Sequence, residues 1–426
     1  MEMPQAYPKF RWFVLLVMIV ASAASTVLMI APAPLIGEVS KTLGIDPGTA
    51  TGTFMGLWNI VGATSCLVAG FLVDRLGIPK MVIAGCIIFI VPTLLFPVVG
   101  YNLKALILLR VCQALAVGPL TAIVAPLAAT WFPPQQRGMV AGLSGFSISL
   151  GVLVGIIISP IIFAATHSWL TVMSRVAIAP MIALVLAIVM AFGPKPPAFH
   201  DEISAEAQAF ADGAFKAALK SRTTWIIVAT VFLSCWFFTG FNDLTPGYIA
   251  IEAPTGLGYG PMMAGKLMGL YQLFFMLGSI ASGFVFEKVF RESAKATISV
   301  AFLVSGALAF TIMLTAVAHH IPVLAVVLPI IGFFAAWVMA AALAYVSINY
   351  HHSVVGRITG LAFGIGFYAG IPGIILGSLA LKSTGSYHTS ITIVSTVAII
   401  GAILIQFIKP LPEKAMNPAK LAVAED

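Results

Sequence analysis

The feature that most constrains this chain is a run of twelve long apolar segments separated by short polar turns. They cover residues 12–36, 50–72, 81–99, 105–130, 138–164, 169–192, 225–249, 262–286, 297–318, 322–348, 356–381 and 389–408, numbered here as spans 1 to 12. A helix needs about 20 apolar residues to cross the hydrocarbon core of a bilayer. The expected fold class is therefore an all-α membrane protein with twelve transmembrane helices. Composition supports this, with 60% hydrophobic residues and 9% charged, whereas soluble domains carry roughly 25% charged residues. A dozen spans and their loops use up the 426 residues and leave no room for a substantial soluble domain.

Charge placement argues against nucleic acid as a partner, despite a net charge of +7. The basic residues recur between spans and fall mostly on one side. Lys9, Arg11, Arg75, Lys80, Arg137, Lys195, Lys216, Lys220, Arg222, Lys288, Arg291, Lys295, Arg357, Lys409, Lys414 and Lys420 share that side if the N-terminus is inside. The other side holds only Lys41, Lys104 and, at a helix end, Lys382. The positive-inside rule then places both termini in the cytoplasm, in a multi-pass protein of the cell inner membrane. Lys9, Arg11 and the stretch Ala21-Ser22-Ala23-Ala24 resemble a signal peptide, but the apolar run continues to Ile36, so an uncleaved first span is expected. Cys66, Cys86, Cys112 and Cys235 lie inside apolar segments without metal-ligand spacing and read as buried small residues.

The polar stretch from Gly193 to Thr224 separates six spans from six. The expected organisation is an N-terminal six-helix bundle over residues 1–193, a linker over 194–224, a C-terminal bundle over 225–409 and a tail over 410–426. Within the linker, residues 201–222 read as an interfacial helix on the membrane surface. Asp201, Glu202 and Glu206 stand near its start and Lys216, Lys220 and Arg222 near its end, matching the helix dipole. The two halves echo each other: Trp12, Gly70, Asp74 and Arg75 recur 213 residues later as Trp225, Gly283, Glu287 and Lys288. Internal repeats of this kind mark secondary transporters.

The loop Gly70 to Lys80 reads G-F-L-V-D-R-L-G-I-P-K, span 4 carries R-V-C-Q-A-L-A-V-G from Arg110 to Gly118, and span 5 holds Gly145, Gly151, Gly155 and Ser159-Pro160. These motifs resemble those of the major facilitator superfamily. The basic pair usual after Gly77 is missing, and Ala114 stands where the family has glycine. The resemblance implies two pseudo-symmetric six-helix bundles around a central cavity lined by spans 1, 2, 4, 5, 7, 8, 10 and 11. It also implies a cytoplasmic gate made of Gly70, Asp74 and Arg75 with Gly283, Glu287 and Lys288. A carboxylate there can face the positive N-terminus of a helix: Asp74 that of span 11, Glu287 that of span 5. The glycines of spans 5 and 11 fit close helix contact.

Ionisable residues inside spans carry the functional argument, because their burial in lipid is costly. They are Arg110, Arg175, Asp243 and Lys266. Asp243 lies 18 residues beyond Trp225, about 27 Å along the helix, nearer the outer face than the midplane. Arg110 faces the cavity in the family pattern and is the expected anion contact. Asp243, Lys266 and Arg175 are the candidates for coupling or an outer gate. For Lys266, snorkelling, an ion pair with Asp243 and ligand binding all stay open. For Arg175 a structural role is the stronger reading. Asn59, Tyr271, Gln272, Trp337 and Tyr368 complete the candidate substrate site, although each aromatic alone reads first as packing. Asn242 and Thr245-Pro246 suggest that span 7 ends there in a broken helix.

Three basic residues against one acid point to a small organic anion of monocarboxylate type, carried by alternating access with proton coupling. An efflux antiporter for lipophilic compounds, a metal or metal-chelate carrier, and a transport-fold sensor or assembly factor are the alternatives. No histidine falls within a span and no G-x-x-x-x-G-K-S/T loop occurs, which argues against an enzyme and against ATP coupling. No cofactor and no metal is expected, and the chain is expected to be monomeric.

Overall fold

A computed structural model describes residues 8–195, 205–409 and 411. The tail beyond residue 411 and the acidic start of the linker (Asp201 and Glu202) lie outside the described residues. Among the described residues, twelve helical segments are long and apolar enough to cross a membrane. They are Arg11–Leu43, Pro47–Gly70, Ile78–Val99, Leu103–Trp131, Gly142–Thr166, Trp169–Ala191, Arg222–Ala250, Gly260–Val289, Ala294–Thr311, Ile321–Asn349, Val354–Thr384 and Tyr387–Phe407. These are spans 1 to 12, and the chain is a multi-pass membrane protein. Large apolar side chains face outward along them, with Phe192 88%, Val98 77% and Ile280 68% exposed. Contiguous apolar surface of this kind suits acyl chains and not water.

Several spans are interrupted, and proline accounts for the breaks that position the site. Span 1 is regular over Arg11–Ile30, then passes through a short 3₁₀ turn at Ala33–Leu35 into a second helix, Ile36–Leu43. Pro32 and Pro34 have no N–H to donate, so carbonyls one turn earlier lose their helical partners. Span 2 contains a π-helical turn at Gly52–Gly56 before Leu57–Leu76. Such turns also leave carbonyls unpaired by the regular ladder. Span 4 is split into Leu103–Leu115, Val117–Thr121 and Val124–Trp131. Span 7 departs from the sequence expectation: it runs unbroken over Arg222–Ala250, with Pro246 inside the helix. Transmembrane helices tolerate an internal proline where neighbouring groups satisfy the freed carbonyl.

The chain divides into two compact units, Met1–His200 with Pro246–Gly269, and Asp201–Thr245 with Leu270–Asp426. The division differs from a simple cut at the linker, because the end of span 7 and the start of span 8 cluster with the first unit. Gly37 meets Ile251, and Gly265 and Gly269 meet Ile156, Pro160 and Ile157 of span 5. Lys41 reaches Glu252 at 3.1 Å and Glu38 at 3.9 Å. In the first unit spans 1 and 5 pack closely. A side chain at Gly151 would collide with Ala23 and Thr26, and Thr26 Oγ1 donates to the carbonyl of Ile148 at 3.1 Å. In the second unit span 9 packs on spans 10 and 12, and span 11 on span 12.

The linker helix occupies Ala205–Lys220. Its described partner is the start of span 11, within the second unit. Arg357 donates to Asp212 at 2.5 Å, with its guanidinium 5.6 Å from the Phe215 ring. Phe210 packs edge-on against His351, 4.9 Å between centroids.

Candidate functional site

Arg110 is fully buried in span 4. Its guanidinium gathers the carbonyls released by the two irregular helices beside it. Nε donates to Phe54 O at 2.7 Å, inside the π turn of span 2. Nη1 donates to Leu28 O at 2.8 Å and to Gln113 Oε1 at 3.2 Å, and Nη2 to Met29 O at 2.7 Å. The Met55 sulfur, at 3.9 Å, takes the remaining direction. Leu28 O is the carbonyl that an N–H at position 32 would have capped, and Pro32 has none. Trp58 lies under the guanidinium at 4.3 Å, so its π face adds a cation–π contact. A guanidinium has five N–H donors, and all five have an acceptor here. The positive charge is balanced by carbonyl dipoles, and no donor is left for a substrate anion in this geometry. Asn59 is engaged in the same repair: its Nδ2 donates to Met55 O at 3.0 Å. Gln113 extends the network, donating from Nε2 to Thr93 Oγ1 at 2.7 Å. The sequence reading singled out neither Gln113 nor Thr93, although the motif's Gln three residues after Arg110 was in view.

The second unit holds a different arrangement, in which polar groups are buried without being saturated. Asn242 and Thr245 on span 7 and Tyr271 and Gln272 on span 8 are all fully buried. Thr245 Oγ1 and both ends of the Gln272 amide have no hydrogen-bond partner among the described residues, while Asn242 Nδ2 donates to Phe238 O at 2.9 Å. Tyr271 stacks obliquely on Phe241 at 4.9 Å, which brings its hydroxyl against the Asn242 side chain. Pro246 also withdraws the helical donor from the Asn242 carbonyl. Asp243, 3% exposed, stands on the same turn. A buried polar atom without a partner costs roughly 1–3 kcal/mol. Several together on facing helices mark a place built for something other than packing. Thr245 was noticed in the sequence only as a helix-end signal, and its burial depends on the helix continuing past it.

The other candidates fall outside these two clusters. Trp337 is buried among Phe333, Phe334 and Phe290, with centroids 4.5–6.5 Å apart, as a packing residue whose Nε1 has no partner. Tyr368 is half-buried at the interruption between His352–Phe367 and Gly370–Thr384. Lys266 and Arg175 are exposed, and among the described residues neither makes an ion pair. Lys266 belongs to the first unit and Asp243 to the second. Of the gate residues, Gly70, Arg75, Gly283, Glu287 and Lys288 are exposed, while the side chain of Asp74 lies outside the described residues. Glu287 and Lys288 sit in a π turn, Val285–Val289. The glycines of span 11 divide into two sets. Gly356, Gly360 and Gly364 meet nothing among the described residues, whereas Gly366, Gly373 and Gly377 lie against Cys235, Trp236 and Leu244 of span 7.

Comparison with known proteins agrees with this architecture. Solute carrier family 49 member A3 of Xenopus tropicalis is 24% identical over 401 residues, covering 90% of this chain and 80% of that protein. The glucose transporter GlcP of Staphylococcus epidermidis is 27% identical over 260 residues, covering 55% of this chain and 56% of its own. A bacterial homologue of the human lysosomal transporter Spinster, solved in an inward-facing and unoccupied conformation, shares the fold with a TM-score of 0.75. Its identity is 12%, over 94% of this chain and 97% of that one. The sequence pattern of the Major Facilitator Superfamily matches residues 13–374. With twelve spans, motif-bearing loops in the expected places and a family match over most of its length, the chain belongs to the major facilitator superfamily and is a transporter, not an enzyme.

Proposed function

We propose that this protein is a secondary active transporter that moves a small organic anion by alternating access, coupled to protons through Asp243. The observation that carries the proposal is the buried polar cluster of Asn242, Thr245, Tyr271 and Gln272 near that carboxyl group, in which the Thr245 hydroxyl and the Gln272 amide lack partners among the described residues. A carboxylate deep in a span is costly when charged. Protonation removes that cost and turns the group into a donor, for which amide oxygens are suitable acceptors. A cycle that alternates between the two forms links proton movement to the exposure of the site. Substrate contact falls to Tyr271, Gln272 and Tyr368, all within the second unit.

The anion preference rests on Lys266, whose ammonium is exposed and without an ion-pair partner among the described residues. A second reading, export of neutral lipophilic compounds, is favoured by the saturation of Arg110, which removes the strongest anion-binding fork from use. Both readings keep the termini in the cytoplasm of a monomer in the inner membrane.

Proteoliposomes test the proposal once a thermal-shift screen of small organic anions across pH has found a ligand that stabilises the folded protein. Asp243→Asn is expected to remove the pH dependence of net uptake while retaining substrate exchange, which needs no deprotonated return of the empty carrier. Lys266→Gln is expected to weaken the affinity for an anion with the pH profile unchanged. A wild-type pH profile in Asp243→Asn would end the coupling role. Recovery of pH-dependent transport in the double variant would instead make the two residues a gate pair.

A further inference from the structure

We infer that the first unit carries a binding site for one anionic phospholipid at the end of the membrane where spans 3, 4 and 6 begin or finish. A cavity of about 400 Å³ opens there, lined by Val73, Ile78, Pro79, Trp131, Met190 and Lys195, among others. Its depth follows from the span ends: Ile78 opens span 3, Trp131 closes span 4 and Ala191 closes span 6. The cavity therefore lies at the level where headgroups meet acyl chains.

Its surroundings identify the occupant. Leu72, Leu76, Val189 and Phe192 flank it and are 40%, 43%, 51% and 88% exposed. Side chains this apolar and this exposed meet hydrocarbon, which puts lipid beside the lining residues next to them in sequence. Trp131, 4% exposed, forms part of the wall and is held from behind by Phe10 at 6.0 Å between centroids. The rim is basic. Lys195 lines the cavity, and Arg75 and Lys80 stand within two residues of the lining residues Gly77 and Pro79. All three side chains are exposed, against one acid in the same loop, Asp74. Gly77, with φ 77°, turns the chain sharply into span 3, and no side chain caps the helix that follows. Pro79 has no N–H, so the start of span 3 adds only the partial positive charge of its remaining free N–H groups. An apolar groove with a cationic rim at headgroup level matches one acyl chain below and one phosphate above. A zwitterionic lipid fills the groove equally well but gains less at the rim, where each Lys or Arg is worth about 1 kcal/mol toward an anionic surface.

The test uses the full chain in detergent, with palmitoyl-oleoyl phosphatidylglycerol and phosphatidylcholine supplied at equal ratios. Native mass spectrometry should show one phosphatidylglycerol retained in preference to phosphatidylcholine. Two lysines account for a preference of about tenfold or more. Lys80→Gln with Lys195→Gln should cut the preference about tenfold or more, leaving what Arg75 supplies. Thr130→Trp, which fills the groove, should abolish the rise in unfolding temperature that phosphatidylglycerol produces. Equal retention of both lipids by the wild type, or an unchanged preference in the double lysine variant, overturns the proposal. So does an equal thermal shift with glycerol phosphate, which would make this a site for a free anion. If Thr130→Trp fails to fold, the lysine variants decide alone.

Discussion

At the scale of single residues, Arg110 and Asp243 show two ways of keeping an ionisable group inside a span. Arg110 is surrounded by acceptors that the helices around it cannot satisfy themselves, and so holds its charge permanently. Asp243 stands on the same turn as Thr245, whose buried hydroxyl has no hydrogen-bond partner among the described residues. The first arrangement is static and the second is suited to change. Arg110→Gln is accordingly expected to lower stability, because at least two buried carbonyls lose a donor, at about 1–3 kcal/mol each. Arg110→Lys should fall between, since an ammonium is a point charge that cannot fork to carbonyls on two helices. Thermal unfolding in detergent measures both. Normal stability in Arg110→Gln combined with loss of anion transport would restore the residue to the substrate site. The sequence located Arg110 and the cost of its burial. Its acceptors were out of reach, because they are backbone atoms 56 to 82 residues away, freed only by local departures from α-helical geometry.

At the scale of elements, prolines have opposite effects in spans 1 and 7. Pro32 and Pro34 end a helix, whereas Pro246 is carried within one. The difference lies in what receives a freed carbonyl: in span 1 a guanidinium binds Leu28 O, which Pro32 frees, and stabilises the break. If that account holds, Pro32→Ala restores an N–H for Leu28 O and partly compensates for loss of the arginine. The double variant Pro32→Ala with Arg110→Gln should be more stable than Arg110→Gln alone by about 1 kcal/mol. A double-mutant cycle of unfolding temperatures reads the coupling directly, and strict additivity would show that the two features are independent. The broken end expected in span 7 came from reading Thr245-Pro246 as a loop signal. That signal is sound in water, but lipid penalises an open backbone more heavily than a kinked helix. The linker helix was legible from its charges and its spacing. Its docking on span 11 was not, because Asp212 and Arg357 are 145 residues apart.

At the scale of the whole molecule, the count and order of the spans were readable from hydropathy, since lipid leaves few alternatives for long apolar segments. The internal repeat was readable too, and its described parts correspond. Gly70 and Gly283 both lie in open space, and Trp12 and Trp225 are 46% and 48% exposed at the starts of spans 1 and 7. The substrate was not readable, because a site of a few side chains on separate spans leaves no spacing in the sequence. The repeat supports a gate role for its acidic members. Asp74→Asn and Glu287→Gln should each increase labelling of engineered cysteines from the cytoplasmic side and reduce it from the outside. Unchanged labelling from both sides in both variants would leave these residues as topological charges.

The arginine node has a further consequence for how the chain is made. Leu28 and Met29 lie 82 and 81 residues ahead of the guanidinium that binds their carbonyls. A ribosome delivers spans 1 and 2 to the membrane well before span 4 exists. During that interval Leu28 O has no helical donor, because Pro32 carries no N–H. The bend at Pro32 is therefore completed only when span 4 brings its arginine to the first hairpin.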